Sequence, residues 1–136
     1  MSSTTLKLTP ERGDATLTEK WLEEARETGE TDTFTRRHRG PRTTWRDPLE
    51  VQVFKGPGCW LSCRATARDI SAGGVGFQCR EPIPPWTPIL VCRAGEAVGA
   101  PAMVMNCTPG VSCYIIGAEF RFEDQVPQKR AAALAG

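Results

Sequence analysis

The stretch Arg68-Asp69-Ile70-Ser71-Ala72-Gly73-Gly74 joins two alternating apolar runs through a carboxylate, a hydroxyl and two glycines. A tight hairpin normally needs two turn residues, commonly Asn-Gly or Asp-Gly. Here the turn-forming residues are spread over positions 69 to 74. Asp69 shares the parity of Ala67 and would face inward if the strand ran on unchanged. A carboxylate at the end of an inward row is costly unless the strand stops there or a partner meets it. Two readings are open. In one, Asp69 and Ser71 bond to nearby backbone N–H groups and build a wide turn. In the other, the turn presents them to a ligand.

Upstream, the segment TRRHRGPRTTWR (35 to 46) holds five arginines, Arg36, Arg37, Arg39, Arg42 and Arg46, and the one histidine, His38. Gly40-Pro41 forbids a continuous helix, so the segment is a loop or an extended arm. A carboxylate matches the N–H donor edge of guanine. A guanidinium matches O6 and N7, stacks on the base plane and forks onto phosphate. The Gly73-Gly74 pair lets a flat ligand approach the backbone without a side-chain clash. Turn and arm together suit an anionic guanine nucleotide. His38 reads as a solvated neighbour of the arginines rather than a ligand.

These residues need a scaffold, and the rest of the chain supplies one. At 136 residues there is room for one domain of about 100 residues plus tails. Residues 1 to 15 are polar and aperiodic, which predicts disorder. In residues 16 to 28, Leu17, Trp21, Leu22 and Ala25 recur at helical spacing. Thr16 with Glu19 reads as a capping box and Gly29 as the stop, so a short amphipathic helix and linker fill 16 to 35. Six short alternating runs follow, PLEVQVF, CWLSCRATARD, VGFQC, ILVC, PAMVMNC and SCYIIGAEF, separated by Gly- and Pro-rich turns. Their spacing predicts a mainly β domain, an antiparallel barrel or sandwich of six strands with one wet face. Residues 123 to 136 read as a tail or a short C-terminal helix.

Taken together, Asp69-x-Ser71-x-x-Gly74, the Val75-Gly76-Phe77 continuation, the arginines upstream and the ending IGAEF resemble the PilZ domain family over residues 36 to 122. The resemblance implies a six-stranded antiparallel β-barrel and a receptor role for cyclic di-GMP. It also implies a non-enzymatic function, an effector protein as partner, and a process such as motility, surface polysaccharide or biofilm control. By resemblance, Asp69, Ser71 and Gly74 contact the guanine and its surroundings, with Gly73 beside them. The family's first motif spaces two arginines by three residues, which Arg42 and Arg46 satisfy literally. Arg37 and Arg42 fit it with one residue inserted, and are the preferred principal ligands, with Arg36 supporting and Arg46 a lesser candidate. Members of the family that have lost the ligand serve as protein adaptors, and the shifted spacing keeps that alternative open.

Other classes are disfavoured. A net charge of +1 supplies no global field for nucleic acid or membrane. Single-stranded nucleic acid needs exposed aromatic platforms, and Trp45 and Trp60 are the two candidates. One histidine within an arginine-rich loop gives no triad base, and no phosphate-binding loop opens a helix. No cofactor is expected. No apolar run reaches the ~20 residues of a membrane span, and the N-terminus lacks the apolar core of a secretory signal, so a cytoplasmic protein is expected. In that compartment the six cysteines read as reduced and structural, with Cys59, Cys63 and Cys79 at apolar strand positions. No metal is expected, since Cys59 and Cys63 on one strand stand about 13 Å apart.

Overall fold

The computed structural model describes residues 11–32 and 41–122. Three short strands, β1 (Glu11–Arg12), β2 (Thr31–Asp32) and β3 (Arg42–Thr44), and one helix, α1 (Ala15–Thr28), precede six longer strands. These are β4 (Pro48–Gly56), β5 (Cys59–Ile70), β6 (Gly74–Cys79), β7 (Pro88–Arg93), β8 (Val98–Pro109) and β9 (Tyr114–Phe120). The six pair antiparallel in the order β5-β4-β7-β8-β9-β6, and β6 pairs back onto β5 to close the barrel. Closure removes the open edges that a flat sheet of this length would expose. The expected six-stranded barrel is therefore present. The short strands add to it: β3 continues along the β5 edge beyond β4, β2 pairs with β3, and β1 lies parallel to β8.

Strand alternation fills the interior with Val51, Ala67, Val75, Phe77, Val91, Val104 and Ile116, all inaccessible to solvent. One end is covered by α1, which packs against β3 and β8 and buries Trp21, Leu22 and Ala25. Trp21 stacks on Trp45 with ring centroids 5.6 Å apart and planes inclined by 30°. Such a pair adds roughly 0.5–1.5 kcal/mol beyond its buried area. The helix also comes close to β3 at its stop. A Cβ on Gly29 would sit 2.1 Å from the Thr44 carbonyl oxygen, so only glycine fits there. Arg93, at the end of β7, bonds Glu24 of α1 and reaches Asp47 and Glu96 at 3.5 Å.

Several expectations are corrected. The N-cap is Asp14, not Thr16: its carboxylate accepts from the Thr16 backbone N–H at 3.0 Å and from the Thr16 hydroxyl. The expected disordered stretch of 1 to 15 ends sooner, because Glu11 and Arg12 pair with Val98 and Gly99. Trp45 is no exposed platform, since Trp21 covers it. Cys59 and Leu61 are exposed and Cys63 only half-buried, because β5 outruns β6 at that end. Gln52, expected on the wet face, is buried, and its amide donates to the Ser62 hydroxyl at 3.4 Å. The expectations for residues 1–10 and for the tail at 123–136 lie outside the described residues.

The seating of α1 makes a definite demand on stability. Trp21→Ala should cost about 3–5 kcal/mol in a urea titration, and Asp14→Ala about 1 kcal/mol through loss of the cap. A cost for Trp21→Ala below about 1 kcal/mol would mean that the helix does not close the barrel.

Candidate functional site

The turn between β5 and β6 closes at Ser71, whose N–H donates to the Gly74 carbonyl oxygen at 2.9 Å. Counting outward, Ile70 faces Val75 and Asp69 faces Gly76. The next pair is Ala67 with Phe77, so Arg68 is an extra residue on β5. A bulge of this kind bends its strand and re-aims the neighbouring side chain. Without it, Asp69 would keep the parity of Ala67 and point into the core. With it, the Asp69 carboxylate lies partly exposed and meets Arg42.

Arg42 comes from β3, where Thr44 is the residue opposite Asp69. Arg42 is two positions earlier on the same face, and its Nη1 donates to Asp69 Oδ1 at 2.5 Å. The Arg42 side chain is 16 % exposed and that of Asp69 33 %, so the pair is partly withdrawn from water. Among the described residues the Arg42 Nε is buried with no hydrogen-bond partner. A guanidinium has five N–H donors, and Asp69 engages one of its terminal nitrogens.

Space for the carboxylate comes from Gly76. A Cβ there would lie 2.7 Å from Asp69 Oδ1. Gly74 has another role: its missing Cβ would lie 2.5 Å from the Ala118 carbonyl oxygen, so it permits close approach of β9. The Gly73 carbonyl accepts from the Phe120 N–H at 3.0 Å, which ties the turn to β9. Ser71 is fully buried, and its hydroxyl lies 3.5 Å from the Gly74 carbonyl oxygen. In this conformation Ser71 and Gly74 build the turn while Asp69 faces outward from it.

Arg46 is exposed in the link between β3 and β4, next to the buried Trp45. Arg36, Arg37 and His38 fall in the stretch 33–40, which lies outside the described residues. Trp60 packs edge-on against Phe54 at the far end of β5 and takes no part in the Asp69 region. Sequence reasoning missed Gly76 and the bulge at Arg68. Gly76 follows from counting outward from the Ser71–Gly74 turn, and the bulge from Ala67 and Phe77 both belonging to the core.

The two glycines should respond differently to substitution. Gly74→Ala meets a backbone carbonyl and should destabilise by about 1–3 kcal/mol or more in chemical denaturation. Gly76→Ala meets the end of a side chain, so it should cost less while displacing Asp69 from Arg42. Equal costs would contradict these roles.

No family model matches this chain, and no curated protein matches it. Among solved structures, the complex of K. pneumonia MrkH with c-di-GMP matches with a TM-score of 0.50 and 18 % sequence identity. The match covers 74 % of this chain and 51 % of that one, so this chain spans about half the length of the MrkH chain. At that identity the likeness is one of fold: the two share a barrel architecture.

Proposed function

We propose that this chain is a PilZ-like, non-enzymatic receptor that holds cyclic di-GMP between the arginine-rich segment and the Asp69–Gly74 turn. The observation that carries the reading is the placement of Arg42 on Asp69. The C-terminal end of the arginine segment and the turn then share one rim of the barrel, although they are 27 residues apart in sequence. Had they stood at opposite ends, no single ligand could bridge them. The neighbour of like fold is itself a complex with c-di-GMP, which agrees with this reading.

In the proposed complex, Arg42 and Arg37 take phosphate and the guanine face, with Arg36 and Arg46 in support. Asp69 accepts from the guanine N–H edge, and Gly73 leaves the turn low enough for a flat base, while Gly74 seats the turn against β9. Asp69 would exchange its bond to Arg42 for bonds to guanine, freeing the guanidinium for the ligand. Because Trp45 follows Arg42 by three residues and stacks on Trp21, movement of the arm would reach α1 and alter the surface offered to an effector protein.

A second reading has its own observation. The Ser71 hydroxyl is buried and Asp69 is already paired, as expected of an adaptor whose nucleotide site has become structural. Isothermal calorimetry with cyclic di-GMP, with GTP and cyclic GMP as controls, separates the two. Under the receptor reading cyclic di-GMP alone binds, and Arg42→Ala or Asp69→Ala each weakens it about tenfold to a hundredfold. No heat at high micromolar ligand favours the adaptor. Under the switch mechanism, hydrogen exchange over α1 and residues 41–46 changes on ligand addition; unchanged protection refutes it.

A further inference from the structure

β5 and β6 are not paired along their whole length. β6 ends at Cys79, opposite Ala65, so the described pairing of the Cys59–Arg64 half of β5 is with β4 alone. The tip of the β8–β9 hairpin, including Val111 and Cys113, borders the cleft that results, a space of about 1140 Å³. Cys63 and Cys79 both line it. Cys63 itself lies away from the Arg42–Asp69 pair, six positions from Asp69 and roughly 20 Å along an extended strand, although the cleft lining runs on to Thr66 and Pro48.

Cys63 has the parity of Ala65, and Ala65 faces Cys79, so the two thiols are diagonal neighbours on one face of the sheet. Each Sγ lies near a backbone carbonyl oxygen, Cys63 at 3.6 Å from that of Arg64 and Cys79 at 3.1 Å from that of Glu81. Cys63 is half-buried and reachable from the cleft, whereas Cys79 is buried. The neighbouring Cys79 thiol lowers the Cys63 thiol to about 7, against the opposing effects of burial and of the Glu81 carboxylate. Arg64, Arg80 and Glu50 line the same cleft. Cys79 is pushed up, first by the neighbouring Cys63 side chain and then by burial, so it keeps its proton. One accessible thiolate beside one protonated thiol is the arrangement of an attacking and a resolving cysteine. Among the described residues no group of three or more His, Cys, Asp or Glu is placed to hold a metal ion.

We propose that Cys63 and Cys79 form a dithiol site oxidised by a hydroperoxide. The Cys63 thiolate attacks one peroxide oxygen and the O–O bond breaks. This leaves a sulfenic acid on Cys63 and releases hydroxide or alkoxide, which takes up a proton. The Cys79 sulfur then displaces the sulfenic hydroxyl: an S–S bond forms, the S–O bond breaks, and water leaves with the Cys79 proton. Two thiols lose two electrons in total, and the peroxide becomes an alcohol, or water, plus water. Diagonal neighbours stand just beyond the separation a disulfide spans without backbone movement. Closure therefore draws the two strands together where β6 ends and β5 runs on beyond it.

The test uses the full chain, reduced and then treated with equimolar hydrogen peroxide at pH 7, followed by alkylation and peptide mapping without reductant. The expected product lacks two hydrogens and contains a Cys63–Cys79 linked peptide. In Cys79→Ser the sulfenic acid on Cys63 should persist and be trapped by dimedone. Iodoacetamide labelling of Cys63 in the unsubstituted chain should rise with a midpoint near pH 7. Oxidation of Cys59 or Cys113 ahead of Cys63, a link between any other pair, or an ordinary labelling midpoint for Cys63 would overturn the proposal. Because two readouts use the unsubstituted protein, poor folding of the variant would not rescue it.

Discussion

β5 carries one residue more than β6 between Ala67 and Asp69, and the direction of the Asp69 carboxylate follows from that count. Strand side chains alternate with a strict period of two, so an inserted residue reverses the face of everything beyond it. Ala67 remains in the core and Asp69 reaches the rim. The consequences then accumulate locally. A carboxylate at a rim needs a cation, and β3 offers Arg42 from the strand alongside. It also needs room beneath it, which Gly76 leaves. An unpaired carboxylate in a low-dielectric rim would be costly, so the bulge, the arginine and the glycine are one arrangement rather than three features.

The same rim is held by α1. Its stacked Trp21 fixes Trp45, and Arg93 gathers Glu24, Asp47 and Glu96 around one guanidinium. Exposed ion pairs of this kind contribute little singly, so the apolar contact does most of the holding and the charges set the orientation. The opposite end of the barrel is built more loosely. There β5 outruns β6, and Cys63, Cys79 and Cys113 share the open cleft with Leu61 and Val111. β5 is common to both ends, with Asp69 near its last residue and Cys63 near its first.

Much of this was legible in the sequence. Period-two alternation found the six barrel strands, because each is long enough for the pattern to repeat. The helix was visible from Trp21, Leu22 and Ala25, which are the residues it buries. β1, β2 and β3 were not, since two or three residues show no period and owe their form to the strands beside them. Within the site, Asp69 and Arg42 were singled out by chemical type, and the structure brings them together. Their mutual bond depends on a register that no local pattern encodes. Gly76 escaped notice because its purpose is set by a side chain seven positions away. Trp45 was misjudged for the converse reason: its neighbours in sequence are polar, and the residue that covers it lies 24 positions earlier.

The tryptophan stack has an optical corollary. Two indoles 5.6 Å apart and inclined by 30° couple their electronic transitions, and that coupling depends steeply on separation and angle. The chain has four tryptophans, and the other two, Trp60 and Trp86, occupy separate environments. The chain therefore carries a built-in chromophore pair whose circular dichroism reports whether the helix rests on its barrel, with no dye or label attached.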